Sequence, residues 1–271
     1  MIKLISVAVQ RTATIFFLIL LPYSIVTSQT FEEHPEFEKF YKQKNIHGCF
    51  LLYDLNQNKY LGYNFPRTDS SFIPASTFKI FNSLVALETG VIKDENEIIN
   101  WDGVDRHNKQ WNKDNNLRSA FKYSVVWFYQ ELARRIGQNR MQKYIDTAGY
   151  GNKNINGGID LFWLQGDLRI TPKEQINLLV RLYKNDLPFS QRTIDIVKDI
   201  MIFEKTDRYV LRAKTGWGAR MIPQIGWFVG YVIKGNDVFF FVNNIDIYND
   251  KDADERIPIT KDILKELNII D

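Results

Sequence analysis

The sequence predicts an α+β fold: an antiparallel sheet flanked by helices, with an all-helical subdomain inserted in mid-chain. Three observations predict it. Strand-like runs lie towards both ends, at residues 48–64 and 209–245. Between them, from about 96 to 186, the text is mostly helical with polar loops. Helix signals sit inside that middle segment, where Thr171-Pro172-Lys173-Glu174 combines a capping box with proline at the first helical position.

Taken in order, the chain begins with Lys3 and Arg11, followed by the uncharged, mostly apolar run Ala13–Leu21, Pro22, and the small residues Val26-Thr27-Ser28. This is the layout of a secretory signal peptide over residues 1–28, and the run is short for a bilayer span. Gly48–Asp54 reads as a strand, Asn56-Gln57-Asn58 as a turn, and Lys59–Asn64 as the returning strand. After Pro74-Ala75, the residues Phe78, Phe81, Leu84, Val85 and Leu87 recur at helical spacing until Gly90. A further helix is predicted from near Ser124 to Gly137. Strands return at Tyr209–Thr215, Gly226–Ile233 and Val238–Ile245, the last two joined by a tight Gly235-Asn236 turn. A final helix is predicted over about Thr260–Leu267. Residues 29–271 then form a single catalytic domain, with the helical subdomain at about 96–186.

Composition narrows the function. The chain has 271 residues, 45% hydrophobic and 25% charged, the balance of a globular protein rather than a disordered or multi-span one. Its formal net charge is +3, and removing residues 1–28 takes away two cations and no acid, leaving +1. No basic face for nucleic acid is visible. Cys49 is alone and forms no internal disulfide, and no Cys/His cluster has metal-ligand spacing. The three histidines, His34, His47 and His107, are scattered on polar stretches.

Chemistry is carried by two motifs. Ser76-Thr77-Phe78-Lys79 opens a helix, and residues three apart share a helical face, so the Ser76 hydroxyl and the Lys79 amine can meet. A serine needs a base, and lysine serves as one only when desolvation lowers its pKa. Roughly one Ser-x-x-Lys is expected by chance, and the chain holds a second, Ser119-Ala120-Phe121-Lys122. Pro74-Ala75 and the amphipathic helix favour the first. Lys214-Thr215-Gly216 at a strand end is rarer, with about 0.06 chance matches. Its Lys charge, Thr hydroxyl and accessible Gly backbone suit a carboxylate-bearing substrate. The order of the two motifs is the pattern of serine β-lactamases and penicillin-binding proteins.

With further motifs, the chain resembles class D (oxacillinase-type) serine β-lactamases over residues 45–270. The matching segments are Ser124-Val125-Val126, Tyr150-Gly151-Asn152, Phe162-Trp163-Leu164, Gly226-Trp227-Phe228-Val229-Gly230, and Arg256 before Ile259-Thr260-Lys261. Phe81 and Trp127 depart from the family pattern without removing a reactive group. The resemblance implies the β-lactamase/penicillin-binding transpeptidase fold, β-lactam antibiotics as substrates, antibiotic resistance, and no metal or other cofactor beyond a CO₂-derived carbamate on Lys79. It implies catalytic roles for Ser76, Lys79, Ser124, Trp163 and Lys214. Thr215, Gly216, Trp217 and Arg256 would bind substrate, while Phe78, Val126 and Leu164 would line the carbamate pocket. The segment Trp217–Gln224 is similar to a loop in carbapenem-hydrolysing members. Export to the periplasm without a stable membrane anchor or nucleic-acid partner is expected, and oligomeric state stays open. Two alternatives also stay open: a β-lactam sensor that remains acylated, and a cell-wall transpeptidase or carboxypeptidase.

Overall fold

The computed structural model describes residues 29–271; the segment read as a signal peptide lies outside the described residues. The centre is a seven-stranded sheet in the order β1-β3-β2-β7-β6-β5-β4. The chain enters through β1 (Thr30–Glu33) and the short helix α1 (Glu38–Lys42), then forms the hairpin of β2 (Gly48–Asp54) and β3 (Lys59–Tyr63). After the single-turn helix α2 (Phe65–Thr68), a 3₁₀ turn at Ala75–Phe78 leads into α3 (Lys79–Glu88). Helices α4 (Leu117–Lys122), α5 (Val126–Ile136), α6 (Gln138–Ala148), α7 (Pro172–Tyr183) and α8 (Gln191–Ile200) follow. The chain returns as β4 (Ile202–Lys205), β5 (Val210–Gly218), β6 (Gln224–Lys234) and β7 (Asp237–Ile247), and closes with α9 (Asp250–Asp254) and α10 (Arg256–Glu266).

The sequence of β6 explains the layering. Successive strand side chains point to opposite faces. Trp227, Val229 and Tyr231 join one core with Phe81, Leu84, Phe128 and Leu179 of the helices inserted between β3 and β4. Phe228 and Val232 join the other, with Phe37 and Tyr41 near the N-terminus and Ile263 and Leu264 of α10. A strand covered on both faces reads as a nearly continuous apolar run, as Ile225–Ile233 does.

Local signals hold where local chemistry decides. The Thr171 hydroxyl accepts from the Glu174 N–H at 3.1 Å, and the Glu174 carboxylate accepts from the Thr171 N–H at 2.8 Å, starting α7 at Pro172. Gly235, at φ +59°, forms with Asn236 the two-residue turn between Lys234 and Asp237. The sheet is antiparallel at every neighbouring pair except β1 with β3, which is parallel. The motif Lys214-Thr215-Gly216 lies within β5 rather than at its end, since pairing with β6 runs on to Gly218 opposite Ile225. The helix expected from Ser124 starts at Val126, because Ser124 has φ +53° and Val125 is extended. The last helix starts at Arg256, earlier than expected. Pro258 sits in its first turn, where N–H groups have no intrahelical partner anyway.

The Tyr150-Gly151-Asn152 motif ties down the segment that carries Trp163. Asn152 donates to the Asp167 carbonyl at 2.8 Å and its side-chain oxygen accepts from the Arg169 N–H at 3.0 Å. Gly151 has φ +49°, and a Cβ there would lie 2.1 Å from the Arg169 carbonyl oxygen. Gly151→Ala is therefore expected to destabilise the fold by about 2–3 kcal/mol. A urea midpoint unchanged from the parent would show that the contact is dispensable.

Candidate active site

Ser76 sits in the 3₁₀ turn that precedes α3. In a 3₁₀ turn the side chains at i and i+3 eclipse, which stacks Ser76 and Lys79 more directly than an α-helix would. Lys79 Nζ lies 2.9 Å from Ser76 Oγ. The turn is braced at each end: the Ala75 N–H donates to the Trp163 carbonyl at 3.0 Å, and the Thr77 hydroxyl donates to the Pro74 carbonyl at 2.7 Å. Gln175 of α7 donates to that same hydroxyl at 2.8 Å. Ala75 itself has φ +49°, an unfavourable value for a residue with a Cβ, held here by the packing around it.

Lys79 is fully buried. Burial first, then the positive charge of Lys214, drives its pKa well below the ordinary lysine range. Its Nζ stands 5.1 Å from the centre of the Tyr129 ring. Lys214, on β5, is also buried, and burial followed by the charge of Arg256 brings its pKa down to about 7. Its ammonium donates to the Ser124 hydroxyl at 2.5 Å and to the Thr215 carbonyl at 3.2 Å. The positive φ of Ser124 turns the chain between α4 and α5 at this residue.

Arg256, at the start of α10, donates to the Gly216 carbonyl at 2.6 Å and to the Ala253 carbonyl, and its guanidinium lies 5.9 Å from the Trp217 ring centre. Burial brings its pKa down to about 10. Two glycines make room for this meeting of elements. A Cβ at Gly226 would come within 2.9 Å of Arg256 Cδ, and one at Gly216 would press on Thr77, Trp227 and Pro74 at 3.0–3.2 Å.

A cavity of about 370 Å³ opens over these groups, lined by Ser76, Trp111, Ser124, Val126, Leu164, Thr215, Trp217, Ala219, Arg220 and Arg256. Among the described residues no carboxylate lines it, so its charge favours an anionic ligand. Phe78 and Trp163 are fully buried with ring centres 5.5 Å apart, and Phe162 meets both edge-on. Among the described residues, the Trp163 indole N–H is buried without a hydrogen-bond partner.

Comparisons with known proteins point to one family. The family model for the penicillin-binding protein transpeptidase domain matches residues 48–265. β-Lactamase OXA-48 of Klebsiella pneumoniae is 43% identical, over 90% of this chain and 92% of its own. The solved structure of class D β-lactamase YbXI from Nostoc is 54% identical, covers 87% of this chain and 99% of its own, and superposes with a TM-score of 0.85. The chain belongs to the class D β-lactamase family.

The β-lactamase site also contains groups that the motifs do not mark. Tyr129, facing the Lys79 nitrogen, is a buried helix aromatic whose hydroxyl pairs with Ser83 at 2.9 Å. Trp111 lines the cavity from a loop closed by the Ile99–Asn115 bridge. No motif points to either, because both reach the site through tertiary packing. Of the two departures, Phe81 packs among Phe78, Tyr150 and Phe189 with ring centres 5.1–5.8 Å apart, and Trp127 donates to the Trp111 carbonyl at 2.7 Å.

The shifted lysine makes stability depend on pH. Lys214 titrates near 7 in the folded β-lactamase, against 10.5 for the free side chain. Between those values the unfolded chain binds more protons, so stability rises with pH, and this contribution is lost as pH falls through 7. Lys214→Met is expected to flatten the rise of Tm between about pH 7 and 9.5. Equal slopes in parent and variant would contradict the assignment.

Proposed function

We propose that this enzyme hydrolyses the β-lactam amide of penicillins and related antibiotics through an acyl-enzyme on Ser76, and so gives resistance to them. The observation that carries the reading is the fully buried Lys79 nitrogen, 2.9 Å from the Ser76 hydroxyl in a cavity without a carboxylate. Burial favours the uncharged amine, and an uncharged amine adds CO₂ with loss of one proton, giving a carbamate. The unpartnered Trp163 N–H fits such a group: an orphaned buried donor costs about 1–3 kcal/mol, and a carboxylate would accept from it. Phe78, Val126 and Leu164 would keep water from that pocket. When present, the carbamate supplies a carboxylate base beside Ser76.

Each remaining step belongs to the chain's own residues. Ser76 Oγ loses its proton towards Lys79 and attacks the lactam carbonyl carbon. The backbone N–H groups of Ser76 and Trp217 hold the developing oxyanion. As the ring C–N bond breaks, Ser124 passes a proton to the departing nitrogen and is resupplied by Lys214. Thr215, Gly216 and Arg256 hold the substrate carboxylate, with Trp217 beside it. Water, deprotonated on the Lys79 side, then cleaves the Ser76 ester, freeing the serine and an open-ring acid. Export of residues 29–271 to the periplasm is consistent with this role. Among the described residues, no helix is long and apolar enough to cross a membrane, and no cluster of His, Cys, Asp or Glu is placed to hold a metal.

A second reading has one observation in its favour. Regulatory protein BlaR1 of Bacillus licheniformis is 37% identical over 214 residues, and this chain covers 35% of its length. A sensor would be acylated without turning over. The expected result with a chromogenic cephalosporin is sustained product release, abolished in Ser76→Ala and Lys79→Ala. A single stoichiometric burst would favour the sensor. Added bicarbonate is expected to raise the rate, most strongly at low pH, where protonation of Lys79 opposes carbamate formation. Indifference to bicarbonate, together with no added mass on Lys79, would overturn the carbamate.

A further inference from the structure

We propose that Trp127 is a positioning residue, which holds Trp111 and through it the backbone that presents Ser124. The inference rests on the hydrolase reading, since it concerns how that reaction's proton donor is placed. Trp127 is the second residue of α5, three positions after Ser124, and is 5% exposed. Its indole N–H donates to the Trp111 carbonyl at 2.7 Å. The Trp111 indole N–H in turn donates to the carbonyl of Tyr123 at 2.9 Å. Tyr123 is the residue before Ser124, whose φ of +53° needs support from its surroundings. Ser124 then accepts from Lys214. Two indoles therefore link the start of α5 to the peptide that enters the catalytic serine.

Trp111 has a second duty in this arrangement, because it also forms part of the cavity wall. The far face of Trp127 is braced as well. The Arg106 guanidinium lies 5.8 Å from its ring centre and is bound to Asp102. The Arg106 N–H donates to the Asn112 side chain at 2.9 Å, next to Trp111. A tryptophan at position 127 can thus do what a smaller residue or one without a donor cannot: fill the space under the loop and bond its carbonyl.

The test is a double-mutant cycle of Trp111→Phe and Trp127→Phe, both of which keep a ring and remove an N–H. The readout is the acylation of Ser76, followed by mass, with 6-aminopenicillanic acid, which has no acyl side chain, and with oxacillin, whose aryl group reaches the wall. Trp127→Phe is expected to slow the acylation step about fivefold, the loss typical of one hydrogen bond, with both compounds. Half-saturation should weaken only for oxacillin. In the Trp111→Phe background, Trp127→Phe should cost nothing further. Additive losses, or an unchanged acylation step in Trp127→Phe, would overturn the inference while leaving the hydrolase reading intact. A fall in acylation that merely tracks a fall in Tm would also overturn it. A parent chain that Ser76-directed penicillins fail to acylate would overturn both.

Discussion

A fully buried lysine nitrogen with no carboxylate acting on it among the described residues, set against a serine hydroxyl, is the constraint on which this molecule is organised. A buried ammonium without a counter-ion is among the costlier things a fold can contain. Here Lys79, Lys214 and Arg256 share one region: burial lowers the proton affinity of each, the charge of Lys214 adds to this at Lys79, and that of Arg256 adds to it at Lys214. Both lysines are pushed towards the neutral amine, and Lys214, brought down to about 7, becomes a group that exchanges protons near physiological pH. That property comes from packing rather than from any single contact, and the buried aromatic cluster of Phe78, Phe162 and Trp163, tied through the Trp163 carbonyl to the Ala75 N–H beside Ser76, is part of that packing.

The scaffold meets the constraint by bringing four distant segments together through backbone. The 3₁₀ turn holds Ser76, β5 supplies Lys214, the link between α4 and α5 presents Ser124, and the segment after Gly151 brings Trp163 to the Ala75 N–H. Close approach of this kind requires absent side chains or unusual dihedrals. Gly216 and Gly226 provide the first, and Ala75 and Ser124 the second. Strain at these two residues is stable only because the neighbouring turns are themselves tied, by Thr77 to Gln175 on one side and by Trp111 to Tyr123 on the other.

Much of this was legible in the amino-acid order, for reasons that differ by feature. The capping box at Thr171 and the Gly235-Asn236 turn are decided by neighbours in sequence, so their signals survive folding. Ser76 and Lys79 were legible because three residues suffice to bring them together. The edge strands were not. The exposed β1 run Thr30–Glu33 carries no apolar alternation, and β4 is four residues long. Helix α8 lies beyond the expected end of the helical segment, although its Ile194, Val197 and Ile200 are buried at helical spacing. Tyr129 and Trp111 were illegible in a stronger sense. Nothing in a buried helix aromatic or a loop tryptophan says which distant nitrogen or carbonyl it will face.

On the proposed acyl-enzyme reading, the cationic character of the site would let one cavity serve two half-reactions. Acylation needs a positive wall for the substrate carboxylate, which Arg256 with Thr215 would offer at one end. Deacylation needs a base at the other end that survives while the ester blocks Ser76. A neutral amine is too weakly placed for that alone, since its protonation is opposed first by burial and then by the charge of Lys214. An anion in the Lys79 pocket removes this opposition. On the proposed carbamate reading it would pair electrostatically with Lys214, give the Trp163 N–H an acceptor, and leave Ser76 with a base before and after attack. On that reading, the positive surroundings that disfavour a protonated Lys79 would favour two carboxylates, the substrate's at one end of the cavity and the carbamate's at the other.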